Sequence, residues 1–441
     1  MNNRIGTLLL IGLLACAGCS EPVSTVKPGF ITVSGTGFFL DGKPYRFAGA
    51  NLWYGAWLGQ ESPAGNRDRL IRELDLLSAN GMTNLRILAS AEAASHQKSV
   101  KPVFQPAAGV FNDSLAIGLD FLLSEMGKRN MKAVLYLTNY WEWSGGMAVY
   151  NEWTGAGHMP DPSLGDWRGF MNFSAGFYSN PQAQQLYRAT IDRLVGRVNS
   201  ITGLPYKDDP VIMAWQLANE PRPGTDQDGS VNVPSYVKWI DETARYIKTL
   251  DPNHLVSTGS EGTVGSILRE DVFLDAHDSP AIDYATLHLW AKNWGWYKKD
   301  SMETTFPRTR ERAADYINSH IAMARKLNKP LVLEEFGLGR DGELTGLGTP
   351  VTYRDQYFYF IFNLIEDSLE TGSPLAGTNI WAWGGVASAT RPDAIWKPGD
   401  PFVGDPPQEP QGLNSVFAGD ESTLQLILNH SKRLESFPRQ R

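Results

Sequence analysis

A chain of 441 residues, 42% hydrophobic and 20% charged, has the make-up of a soluble globular protein with room for one large domain or two to three ordinary ones. Its net charge of −8 argues against a nucleic-acid partner, which calls for a basic face, and an uncharged ligand fits better. The 14 Trp, 16 Tyr and 19 Phe report core packing first, but at this abundance they also suit stacking against sugar rings.

The first residues carry Arg4, an apolar run over 8–15 and then small residues, the pattern of a secretory signal. That run is too short to span a membrane. Leu14-Ala15-Cys16-Ala17-Gly18-Cys19-Ser20 resembles a bacterial lipobox, with Cys19 favoured over Cys16 as the lipidated residue and a plain secretory signal as the alternative. Residues 1–19 are therefore read as a signal peptide, 20–29 as a tether and 30–441 as one domain. That domain is expected to be exported, to meet a bacterial outer membrane or cell surface only through the lipid anchor, and to act as a monomer. Both cysteines precede it, so its core must hold it together without a disulfide.

A hairpin is expected over 38–46, turning at Asp41-Gly42. Strands then alternate with helices. Strands are expected over 47–53, 83–88, 132–139, 211–220, 255–259, 284–290, 331–336 and 377–383. Helices are expected over 67–79, 113–129, 181–200, 236–250, 310–327, 353–369 and 422–434, with a weak helical connection over 263–281. Asn112 or Asp113 should cap the second helix, and Gly81 should stop the first. Eight such periods predict a single (β/α)₈ barrel with enlarged loops over 89–112, 141–180, 222–235, 291–309 and 384–420. A doubly wound open sheet shares the alternation, but no glycine-rich dinucleotide fingerprint follows an early strand.

The polar residues fall where the expected strands end. Strand one closes on Asn51 and Trp53, strand two on Arg86, strand three on Asn139 and Trp141. Strand four runs apolar from Val211 and stops in Asn219-Glu220-Pro221, since proline cannot donate to a sheet ladder. Glu261 follows strand five, strand six carries His288 and Trp290, strand seven Glu334-Glu335, and strand eight Trp381 and Trp383. Each has a plain reading as an ion-pair, core or packing residue. Gathered on the carboxyl rim of a barrel, they point to an active site. Glu220, with Glu334 or Glu335 across the barrel mouth, supplies the two carboxylates that hydrolysis of a glycosidic bond requires. Strand alternation predicts that Glu334 and Glu335 cannot both face the centre.

Asn219-Glu220-Pro221 closing strand four, with Glu335-Phe336-Gly337 closing strand seven, resembles glycoside hydrolase family 5 over the whole mature domain. The resemblance implies Glu220 as general acid/base, Glu335 as nucleophile and Asn219 as donor to the substrate 2-hydroxyl. It makes Arg86 the group that keeps the nucleophile ionised, His288 and Trp290 its near neighbours, and Trp381 the floor under the sugar. Leu217-Ala218-Asn219-Glu220-Pro221-Arg222 and Gly259-Ser260-Glu261-Gly262 are similar to the β-mannanase branch. The aromatic stretch 138–146 has no counterpart role in that resemblance. The expected substrate is a neutral β-mannan or manno-oligosaccharide, bound also by Trp53, Asn139, Trp141, Glu261 and Trp383.

A retaining mechanism implies carboxyl groups roughly 5–5.5 Å apart. Arg86 should lower the pKa of Glu335, and the neighbouring negative charge should raise that of Glu220. No cofactor or metal is called for, as His158, His277 and His288 show no ligand spacing. Exo-acting β-mannosidase is the favoured activity, because the long inserts can wall off one end of a cleft. Endo-β-1,4-mannanase, a family 5 hydrolase of another β-glucan, and a dead carbohydrate-binding barrel are the alternatives.

Overall fold

The computed structural model describes residues 27–437 apart from residue 97, so the expected signal and residues 20–26 of the tether lie outside the described residues. Eight short strands, buried throughout except at Thr83 and Lys132, form one parallel sheet: β1 (Phe47–Asn51), β2 (Met82–Leu88), β3 (Lys132–Tyr136), β4 (Ile212–Gln216), β5 (Leu255–Ser257), β6 (Ala285–Leu289), β7 (Leu331–Phe336) and β8 (Leu375–Ile380). The pairing order is β5-β4-β3-β2-β1-β8-β7-β6, and a parallel bridge between Ser257 and Tyr284 brings β5 to β6. The sheet therefore closes into the expected barrel. Strands covered by the barrel interior on one side and helices on the other read as unbroken apolar runs, which is how the sequence betrayed them.

The helices between strands are α1 (Arg67–Ala79), α2 (Asp113–Gly127), α3 (Pro181–Val195), α4 (Val233–Leu250), α5 (Glu270–Asp278), α6 (Met302–Leu327), α7 (Thr352–Glu370) and α8 (Glu421–Ser436). The first three start on a side-chain cap: Asn66, Asn112 and Asn180 accept from the amides of Arg69, Ser114 and Ala183. Helix α6 begins eight residues before the expected 310 and carries Pro307 within its early turns, where proline and polar residues mask the helical pattern.

An antiparallel sheet of Ile31–Ser34, Gly37–Leu40 and Lys43–Tyr45 caps the amino-terminal end of the barrel. The expected hairpin is its second half, and Asp41 and Gly42 both take positive φ (50° and 73°), as a two-residue turn of this kind requires. Ile31 and Phe38 join Phe47, Val134, Met213, Tyr284 and Val332 in an apolar plug beneath the barrel. That end is closed, which leaves the carboxyl end for chemistry.

Two features depart from the expected elements. Strand β8 ends at Ile380; a cis bond links Trp381 to Ala382, and Trp383–Gly385 pairs instead with Val416–Phe417. The 141–180 insert is not a loop but holds the helices Gly146–Trp153 and Trp167–Ala175.

Candidate active site

The backbone of β4 continues past Gln216 by bonding alternately to its two neighbours. The amides of Leu217 and Glu220 donate to Ser257 and Gly259, and that of Asn219 donates to Thr138. Regular alternation would send Asn219 and Glu220 to opposite faces. Glu220 instead adopts φ of 48°, an uncommon conformation for a side chain of its size, and both residues reach the cleft. Proline at 221 then ends the pairing.

A second irregularity sits across the barrel. The register of β7 shifts against both β6 and β8 between Leu333 and Glu335–Phe336. This bulge overturns the expectation that only one of Glu334 and Glu335 can face inward. Glu335 reaches the cleft, while Glu334 lies beneath it and accepts from Gln216 Nε2 at 2.7 Å.

Arg86 joins the two. Its Nη1 donates to Glu335 Oε1, its Nη2 to Asn219 Oδ1 at 2.7 Å, and its Nε to Gln216 Oε1 at 2.8 Å, with Glu334 Oε2 at 3.7 Å. Every residue in this cluster is at least nine-tenths buried, so the guanidinium must be fully paired to be tolerated there. Because Arg86 can only donate, it also fixes the amide of Asn219: Oδ1 faces Arg86, and Nδ2 donates to Asn139 Oδ1 at 3.1 Å and keeps one hydrogen for a ligand.

Glu220 is held from both sides. His288 Nδ1 lies 2.6 Å from its Oε1, and Trp141 Nε1 donates to its Oε2. The same His288 Nδ1 is 3.4 Å from Glu335 Oε2, which also accepts from Trp290 Nε1 at 3.3 Å. One atom each of Glu220, His288 and Glu335 lie within 4.8 Å of one another. That spacing suits a carboxylate pair that attacks carbon directly, and is too close for the roughly 6.5–9.5 Å that leaves room for an intervening water. The donor set would also suit a cation, but the Arg86 guanidinium already supplies the positive charge at Glu335. Linear histidine spacing carried no sign of this trio.

The electrostatics reverse the expected pair of shifts. Burial raises the Glu335 carboxyl to about 7 against the pull of His288 and Arg86. Burial raises Glu220 too, but the hydrogen bond and charge of His288, with Arg222 and Trp141, outweigh it and bring Glu220 down to about 2. His288 is lowered by burial and raised more by Glu335 and Glu220, to about 9. The sequence reading lacked the imidazole, whose cation sits closer to Glu220 than any like charge. Between about 7 and about 9 the trio thus holds one proton, lying on the 2.6 Å hydrogen bond between His288 and Glu220.

These groups floor a cleft of about 600 Å³. Asn219, Glu220, Glu261, Trp290, Glu335, Trp381 and Trp141 line it, as the sequence placed them. Glu261 pairs with Arg222, whose guanidinium lies 5.1 Å from the Trp141 ring. Trp290 and Trp381 meet edge to face at 6.0 Å, two walls of an aromatic corner beside Glu335.

Five of the expected ligand-binding residues do not line it: Arg86 and His288 are buried beneath it against the two carboxylates, and Trp53, Trp383 and Asn139 lie elsewhere. Trp53 is fully buried and donates to Gly404 O at 2.6 Å; Trp383 is fully buried and donates to Glu73 at 2.9 Å. Trp53 packs among Trp57, Trp143 and Phe402 behind the cleft lining and Trp383 turns to α1, placements that a strand boundary misread by two or three residues does not convey. Asn139 is buried and acts on Asn219 and on Ser144 Oγ, which lies 2.9 Å from its Nδ2. Conversely, Glu142, Trp143, Trp167, Asp226, Asn293, Trp294, Gln408 and Glu409 line the cleft from the inserts. Of these, the aromatic run at 141–143 was the one visible signal.

Comparison with known proteins agrees with this geometry. The family model described as GH family 5 beta-mannosidase-like matches residues 28–438. The chain is 36% identical to the crystal structure of a glycoside hydrolase family 5 mannosidase from Rhizomucor miehei, with a TM-score of 0.84 over 92% of this chain and 98% of that one. It is 30% identical over 393 residues to mannan endo-1,4-beta-mannosidase 1 of Solanum lycopersicum, covering 85% of this chain and 87% of the relative. An endo-1,4-beta-mannanase structure from Rhizomucor miehei shares the fold at a TM-score of 0.68 and 23% identity, over 92% of this chain and all of that one.

Proposed function

The chain belongs to the GH family 5 beta-mannosidase-like family, and from that premise we propose that it hydrolyses β-1,4-mannosidic bonds with retention, releasing mannose from chain ends. The observation that carries the reading is the buried trio of Glu220, His288 and Glu335 within 4.8 Å. Glu335 Oε2, whose hydrogen bond from Trp290 is a long 3.3 Å, forms the bond to the anomeric carbon as the glycosidic bond breaks. The proton lying on the His288–Glu220 hydrogen bond passes through Glu220 to the departing oxygen. Water then attacks the mannosyl–Glu335 ester, Glu220 takes the proton back, and the configuration at carbon is restored. The free hydrogen on Asn219 Nδ2 serves the 2-hydroxyl, the position at which mannose differs from glucose.

The preference for chain ends is supported by inserts that pack together beside the cleft, where Trp143 lines it. Trp143 and Phe402, from the 141–180 and 384–420 inserts, both pack edge-on against Trp53 at 5.2 and 5.4 Å. Trp57 Nε1 ties in the 89–112 insert by donating to Pro102 O at 2.8 Å. Within the cleft lining, Glu142 Oε2 and Gln408 Oε1 are buried oxygens with no protein partner. A buried acceptor left unmet costs about 1–3 kcal/mol, and the hydroxyls of a terminal sugar would satisfy both. Product analysis on mannohexaose tests the reading: mannose alone should accumulate at early times, whereas a spread of mannobiose and mannotriose would show endo action.

The shared proton predicts the pH dependence. Glu335 attacks only when ionised, and its carboxyl is raised to about 7, so kcat/KM should fall as the pH drops through that value. The last proton of the trio leaves through about 9, so activity should fall again as the pH rises through it. A profile flat between 5 and 10 would dismiss the trio as the reacting unit.

A further inference from the structure

Trp167 is the first residue of the helix Trp167–Ala175, and 48% of its surface is exposed although it lines the cleft. Of the other cleft indoles, Trp143, Trp290 and Trp381 are buried and Trp141 and Trp294 are partly buried. Single exposed hydrophobics are common on this surface, so exposure alone says little; what sets Trp167 apart is that it is the exposed indole among the tryptophans lining the cleft.

Its ring packs edge to face on Phe170 at 6.5 Å and on Trp141 at 6.1 Å and 74°, and Trp141 donates to Glu220 Oε2. Trp290 and Trp381 flank Glu335, so Trp167 lies one ring beyond Glu220, on the side from which the leaving group departs. The helix beneath it is locked. Arg168 grips Asp228 with two hydrogen bonds of 2.7 and 2.6 Å, Asn172 Nδ2 donates to the same carboxylate at 2.7 Å, and Thr225 Oγ1 adds a fourth at 3.0 Å. This clamp joins the insert to the loop following Glu220, and Asp166 caps the helix by accepting from Gly169 N. The exposed carboxylate of Asp226 lines the same mouth and can accept from ring hydroxyls.

We propose that Trp167 is the platform for the sugar on the leaving-group side, stacking on its apolar face while Glu220 holds the glycosidic oxygen. The proposal rests on the β-mannoside reading of the site and adds a residue from an insert that carries none of the family motifs. The platform serves both halves of the reaction. In the second half, a sugar resting on Trp167 competes with water: its hydroxyl oxygen bonds to the anomeric carbon, the ester bond to Glu335 breaks, and Glu220 takes the hydroxyl proton. Transfer therefore yields a longer oligosaccharide where water would yield mannose.

Trp167→Ala and Trp167→Phe, compared with the unmodified chain on mannobiose and on β-mannosyl fluoride, test this. Fluoride leaves without touching the platform; the second sugar of mannobiose needs it. For Trp167→Ala, kcat/KM on mannobiose should fall about tenfold, the equivalent of about 1.4 kcal/mol, chiefly through KM. The value on mannosyl fluoride should change less than about twofold, and Trp167→Phe should restore most of the mannobiose activity. The ratio of transfer product to mannose at high mannobiose should fall in parallel. Equal losses on both substrates, or no loss on mannobiose, would overturn the platform. An unmodified chain inert to both substrates would overturn the mannoside reading, and the platform with it.

Discussion

Replacing Glu335 with alanine should lower kcat by about 10⁵-fold, about 7 kcal/mol at 1.36 kcal/mol per decade. Nothing else in the cleft can take its place. Glu334 is adjacent in sequence, yet the bulge in β7 sets it beneath the floor with its Oε2 bound to Gln216 Nε2 at 2.7 Å, unable to approach a sugar carbon. The variant should still fold. Arg86 loses its partner but keeps Glu334 at 3.7 Å, together with Gln216 and Asn219, so its charge remains compensated.

The truncation also opens space where the carboxylate stood. Azide placed there should attack an aryl β-mannoside from the face Glu335 used, while Glu220 protonates the departing phenolate. Carbon is substituted once and the product should be α-mannosyl azide. Activity that survives undiminished in a folded Glu335→Ala chain would remove the residue from the chemistry. A rescue product of β configuration would place its carboxylate on the wrong face.

How much of this was legible in the sequence depends on what the chain had to encode locally. Barrel strands buried on both sides need apolar runs, and helices need caps, so the eight periods could be read from composition and spacing. The motif Asn219-Glu220-Pro221 was legible because proline marks where pairing stops. The orientation of individual side chains was not. Alternation predicts that neighbours diverge, and both carboxylate-bearing segments break it, through positive φ at Glu220 and the bulge before Glu335. Neither device has a signature of its own in Gln-Leu-Ala-Asn-Glu or Leu-Val-Leu-Glu-Glu-Phe.

The tryptophans divide on the same ground. Trp381 lies one residue beyond β8 and reaches the cleft, whereas Trp383, two residues further and past a cis bond, turns to Glu73 on α1. The electrostatic reading failed for a different reason. It weighed Glu335 against Arg86 and Glu220 against the neighbouring carboxylate, and His288 is separated from Glu220 by 68 residues while its Nδ1 stands 2.6 Å away. Proximity of that kind is made by the barrel as a whole.

Replacing Glu220 with alanine should give the second large effect, and one that depends on the leaving group. For mannobiose, whose departing alkoxide requires a proton, kcat/KM should fall about 10⁴-fold, the upper range for a general acid. β-Mannosyl fluoride needs little help, so the mannosyl–Glu335 ester should form at nearly the original rate. The ester should then accumulate, because no base remains to activate water. His288 cannot replace Glu220: its Nδ1 sits behind the lost carboxylate, on the far side of the position the glycosidic oxygen would occupy. Azide needs no base and should accelerate turnover, and here the two displacements at carbon give β-mannosyl azide. The opposite configurations from Glu220→Ala and Glu335→Ala would assign acid/base and nucleophile independently of any rate. The pH profile supplies a further check. With Glu220 gone, no proton is shared with His288, so the alkaline loss of activity should vanish for mannosyl fluoride. The acid limb should persist but move to lower pH, because the Glu220 charge that helps raise Glu335 is lost. If mannobiose and mannosyl fluoride instead decline by the same factor, Glu220 contributes to holding the site together rather than to moving a proton.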